Sequence, residues 1–172
     1  MGFLTVVDHE QVGLLGGYLI LNSTARPVEF HCSAPLKANR AQEILYGPTL
    51  RPYLCGELIG ATLLNKAKNR PDWVCTDCHD VLTARSSVSL PMALILNEDA
   101  LANPMQDARP ASPPMLQVIN FPEQAFAVSR EFSADGSLVT AKMKTLADSF
   151  DLLEPFERIR LAMEEAQRGA QR

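Results

Sequence analysis

Two short apolar runs held apart by a polar stretch constrain this chain most. Trp73-Val74-Cys75-Thr76 and Pro91 to Leu96, PMALIL, each read as a strand buried on both faces. Asp77 between them suits the N-cap of a short helix running to Arg85. Strand, helix and strand in that order predict a parallel pair joined by a crossover, and so an α/β sheet with helices packed on it.

Upstream, residues 12 to 32 read as a β-hairpin. Its turn is the polar stretch Asn22 to Arg26, and in the second strand Val28, Phe30 and Cys32 alternate with Glu29 and His31, which directs Cys32 toward the core. Gly16 and Gly17, inside the first strand, predict a bulge or a close approach of another backbone or helix. Asn39, with Gln42 three residues on, predicts a capped helix that Gly47-Pro48 closes. A second helix begins near Thr49, with Pro52 in its first turn, and carries a wide apolar face that makes Cys55 a core residue.

Beyond residue 97 the pattern weakens. Residues 98–115, with Pro104, Pro110, Pro113 and Pro114, read as an irregular connection between a 1–97 α/β core and a 116–172 extension of the same domain. Leu116 to Phe121 suits a strand, Asp135-Gly136 is a hairpin signal, and Pro155 opens a C-terminal helix with a Phe156, Ile159, Met163, Ala166 stripe. That stripe needs a surface to cover it: the chain's own sheet, a second copy in a homodimer, or a protein partner.

Charge excludes some functions. The 20 acidic and 16 basic residues give a net charge of -4 with no basic stripe, so a broad nucleic-acid footprint is not expected. In the first 21 residues no positive charge precedes the apolar positions, and Asp8, His9, Glu10 and Gln11 interrupt them, so neither a secretory signal nor a membrane span is expected. Met1-Gly2 begins like a myristoylation signal, but Val6 stands where Ser or Thr is needed. Four cysteines without a signal predict free thiols in the cytoplasm.

The motif with chemical content is Cys75-Thr76-Asp77-Cys78-His79. Cys-x-x-Cys-His is the haem-attachment spacing, but that use requires export. For zinc, Cys75, Cys78 and His79 supply one ligand cluster, and His31 with Cys32 offers a second. As a dithiol, Cys78 in the first turn of a helix would be favoured as thiolate, but no suitably spaced proline supports a thioredoxin-like site. Packing explains Cys75 in a strand equally well.

Carboxylates give another enzyme reading. Asp77 follows a buried strand, where open α/β sheets place ligands, and Asp8, Asp80 and Glu43 can join it around Mg²⁺. A hairpin, helix, strand, helix, strand order is also found in nucleases with ribonuclease-H-like sheets, which points to a divalent-metal-dependent phosphodiesterase. Capping and solvated helix faces account for the same residues without chemistry. Tyr46 and Tyr53 are aromatic candidates for ligand contact or core.

The phrases GGYLILN, RPVEFHC and LYGPTL resemble an uncharacterised family of small soluble bacterial proteins, over about half the chain. The resemblance implies a bacterial cytosolic protein and brings no catalytic residue, substrate or cofactor. The sequence therefore reads first as a noncatalytic binding or assembly module without a cofactor. A zinc or thiol protein and a phosphodiesterase stand as alternatives.

Overall fold

The structure, a computed structural model, describes residues 1–97, 115–122, 124–146 and 150–170. Apart from Met115, the proline-containing connection lies outside the described residues. Seven strands form one mixed sheet: β1 (Gly2–His9), β2 (Gly13–Leu21), β3 (Pro27–Cys32), β4 (Val74–Thr76), β5 (Met92–Ile95), β6 (Leu116–Ile119) and β7 (Phe126–Ser129). Their order is β3-β2-β1-β4-β5-β7-β6. The expected parallel pair is β4 and β5, and β4 also lies parallel to β1, while the remaining pairings are antiparallel. The α/β class follows directly from these two adjoining parallel ladders.

Helices cover both faces of the sheet. After α1 (Arg40–Tyr46), which buries none of its residues, one layer runs through α2 (Leu50–Pro52), a π-helix (Tyr53–Gly60), α3 (Ala61–Lys66) and, after β4, a 3-10 segment (His79–Ser87). From this layer Leu54, Cys55, Ile59 and Leu63 pack on Leu4, Val6, Tyr18 and Val74. The opposite layer is α4 (Ala134–Met143) and α5 (Glu154–Ala170), where Val139, Phe156, Ile159 and Met163 pack on Phe3, Leu19, Cys75 and Ala93. Strand alternation makes these two cores separate: successive residues such as Phe3 and Leu4, or Val74 and Cys75, face opposite helical layers.

The paired glycines of β2 work the same way. A Cβ on Gly16 would lie 2.2 Å from an Ile59 methyl, and one on Gly17 would lie 2.3 Å from an Ile159 methyl. A helix presses on each side of β2, so the close approach expected there is real.

Several local readings change. The hairpin of β2 and β3 is present, and Asn22 Oδ1 accepts from the amides of Thr24 and Arg26 in its turn. Before it, however, β1 pairs with β2 over eight residues, a strand the sequence reading did not place. Cys32 is exposed rather than inward, because β3 is the sheet edge; Val28 and Phe30 are also exposed on that face. Instead Glu29 turns inward and accepts from the amides of Lys68 and Asn69 at 2.9 and 2.8 Å and pairs with His31 at 2.6 Å. These bonds, the backbone amides first, hold its carboxyl well below its ordinary range, at about 2.

Asp77 does not cap a helix. The segment after it is 3-10, Cys78 occupies its N-cap position in extended conformation, and Asp77 pairs with Arg160 of α5. Asp135-Gly136 is not a hairpin turn but the first turn of α4, where the Asp135 carboxylate accepts from Arg85. Finally, the stripe of α5 is covered intramolecularly: Phe156, Ile159 and Met163 are buried against the sheet, while Ala166 is exposed. The buried part of that stripe is thus covered by the chain's own sheet, while Leu161 on the same helix stays 65% exposed. Among the described residues no helix is long and apolar enough to cross a membrane.

Candidate functional site

The functional candidates collect where β1 and β4 end, beneath the helical run of the first layer. Thr76 is the last residue of β4, and its hydroxyl accepts the Cys78 amide at 3.1 Å. That bond turns the chain so that Cys78 packs with the first layer. Cys75, one strand position before Thr76, faces the second layer and is fully buried there. The Cys-x-x-Cys-His run is thus divided by the sheet itself, and the expected Cys75, Cys78, His79 cluster does not assemble. Burial pushes the Cys75 thiol well above its ordinary range, as suits a packing residue.

Cys78 meets Cys55 instead. Among the described residues, the one group of three metal-capable side chains whose ligand atoms lie within 4.8 Å of one another is Cys55, Cys78 and Asp80. The two sulfurs lie within 4.8 Å of each other. Their mutual interaction lowers the Cys78 thiol from its ordinary value, while the same interaction and then burial push Cys55 upward.

Arg51 ties this cluster to β1. Its Nε lies 3.0 Å from Asp80 Oδ2, and its Nη1 lies 2.7 Å from Asp8 Oδ2. His79 Nδ1 is 3.6 Å from the other Asp80 oxygen. The strand order behind the phosphodiesterase reading is present, but its carboxylates are dispersed. A guanidinium stands between Asp8 and Asp80, Asp77 is held by Arg160 of the other layer, and Glu43 pairs with Arg40 at 3.0 Å. Nor do His31 and Cys32 join the zinc candidates, since His31 is bonded to Glu29 and Cys32 is exposed at the sheet edge.

Beside Arg51 lies a cleft of about 790 Å³, lined by Asp8, His9, Leu36, Lys37 and Leu54 among others. Its location at the end of β1 is where open α/β sheets keep their ligands. Tyr46 and Tyr53 stack on each other near its rim with ring centroids 4.5 Å apart.

No protein-family model, curated protein or solved structure matches this chain. The geometry therefore carries the functional argument alone. What sequence reading missed was Cys55, which has no spacing relation to Cys78. The signal lay one residue on, in Gly56: a glycine inside an apolar helix marks a close approach, and the segment that approaches is the one carrying Asp80.

Proposed function

We propose that this protein is a noncatalytic binding or assembly module that receives a protein partner on α1 and the adjoining cleft. The observation that carries the reading is the condition of α1. It is fully formed, with Asn39 Oδ1 accepting the Gln42 amide at 2.9 Å and Gln42 Oε1 accepting the Asn39 amide at 3.0 Å. Yet it buries none of its residues, and it leaves Ile44 67% and Leu45 81% exposed.

A short helix gains most of its stability from packing an apolar face, so a helix that leaves its largest apolar residues in water is suited to cover something else. The cleft beside it supplies both apolar wall and charge, the mixture found where partner recognition needs an apolar centre and a polar rim. Four free cysteines fit a reducing compartment, and the reading places the protein in the bacterial cytoplasm.

The test compares wild type with an Ile44→Asp, Leu45→Asp double variant as bait in lysate of the source cells. Both side chains are exposed, so the variant is expected to unfold within about 1 kcal/mol of wild type. Retention of the partner is expected to fall at least about tenfold, as when an apolar anchor at an interface is removed. Equal retention by the two baits, or a wild type that retains nothing above background, overturns the reading.

A further inference from the structure

The cluster of Cys55, Cys78 and Asp80 has a purpose-built support that packing alone does not require. Cys55 lies in the π-helix Tyr53–Gly60, a form rare in proteins and concentrated at functional sites. Directly after it, Gly56 lets the 3-10 segment come close: a Cβ there would lie 1.8 Å from Thr83 Oγ1 and 2.9 Å from both the Asp80 carbonyl oxygen and the Ala84 nitrogen. Thr83 Oγ1 in turn lies 2.9 Å from the Pro52 carbonyl and 2.9 Å from the Asp80 carbonyl, bridging the two elements. Cys55 and Asp80 are thereby fixed in one register, Thr76 fixes Cys78, and Arg51 holds the Asp80 carboxylate from outside.

The geometry points to a zinc site formed by Cys55 Sγ, Cys78 Sγ and one carboxylate oxygen of Asp80, with the fourth position left to water or an external ligand. Two sulfurs favour a soft or borderline ion over Mg²⁺ or Ca²⁺, and three protein ligands with one open position is an established zinc arrangement. Charge supports the assignment as well. Zn²⁺ with two thiolates and one carboxylate carries a net single negative charge, and the Arg51 guanidinium, which is shared between that carboxylate and Asp8, offsets part of it. On binding, the thiol protons pass to solvent, the metal takes both sulfur lone pairs, and no oxidant is involved. This site does not depend on the partner reading of α1.

The experiment loads the full chain with one equivalent of Zn²⁺ under reducing conditions, removes loose metal by dialysis, and measures zinc per chain by mass spectrometry. Wild type and Cys75→Ala are expected to retain one zinc each, while Cys55→Ser and Asp80→Asn are expected to bind at least about 100-fold more weakly. Because a variant can lose metal by misfolding, Co²⁺ is also added to wild type, where a charge-transfer band of two-thiolate intensity is expected. Zinc-free wild type, zinc lost from Cys75→Ala but kept by Cys55→Ser, a cobalt complex without thiolate bands, or a Cys55–Cys78 disulfide in place of metal each overturns the proposal.

Discussion

Replacing Asp135 by alanine is expected to destabilise the protein by about 3 to 5 kcal/mol, the cost of breaking a buried ion pair from one side. Asp135 is only 2% exposed, although it is an aspartate. Its Oδ2 accepts from Arg85 Nε at 2.7 Å and from the Met92 amide at 3.1 Å, and its Oδ1 accepts from Arg85 Nη2 at 3.1 Å. One carboxylate thus joins α4, the 3-10 segment and the first residue of β5. Alanine would leave Arg85 Nε and Nη2 and a strand amide without their acceptor, and the guanidinium is held by Nη1 donating to the Val88 carbonyl at 2.8 Å and by the Phe132 ring at 4.3 Å, contacts it would lose by swinging into water. Asp135→Asn keeps one acceptor oxygen and is expected to lose about half as much. Lys142→Ala is the control, because its pair with Asp72 is solvent-exposed and contributes at most about 1 kcal/mol. Urea unfolding of the three variants gives the comparison; an Asp135→Ala loss no larger than that of Lys142→Ala would show that the pair does not join these elements.

Gly56→Ala is the second large effect. The added methyl would overlap Thr83 Oγ1 and press on two backbone atoms, Asp80 O and Ala84 N, neither of which can turn aside. Overpacking of this kind costs about 1 to 3 kcal/mol and occasionally more, and backbone contacts place this site at the upper end. For a chain of this length about 3 kcal/mol corresponds to a fall in Tm of about 6 to 12 °C. Gly60→Ala makes a useful contrast, since its methyl would meet the Ala84 methyl at 3.1 Å, a tight but less severe contact, and its Tm is expected to fall by less. Calorimetry of the two variants decides the matter: equal melting of Gly56→Ala and wild type would mean that the π-helix and the 3-10 segment are not pressed together as described.

Much of this architecture was legible because it is written in local patterns. The buried runs that became β4 and β5, the Asn39 capping box, the paired glycines of β2 and the stripe of α5 each announce themselves over a few residues. What could not be read depends on distant partners. β1 is buried on both faces for most of its length, so it shows no alternation, and it runs straight into a charged end. The alternation of β3 was correct in period but inverted in face, because an edge strand has no helix above it and the amides after α3 claim Glu29. Asp135-Gly136 has hairpin chemistry, yet Arg85, fifty residues earlier, decides its fate. The candidate site was half legible. Cys78 and Asp80 stand out in the sequence, but their companion Cys55 lies on another element with no motif linking them, and strand alternation sends Cys75 to the other core.

That last division is the claim on which the account of the site turns, and one measurement addresses it directly. Stripping the folded protein of metal, treating it with the thiol oxidant diamide, quenching free thiols by alkylation and mapping the linked peptides identifies which sulfurs are neighbours. A bridge between Cys55 and Cys78, with Cys75 left reduced and buried, is the expected result. A bridge between Cys75 and Cys78 would contradict the account, returning the Cys-x-x-Cys-His run to a single unit and removing the basis for the cluster with Asp80.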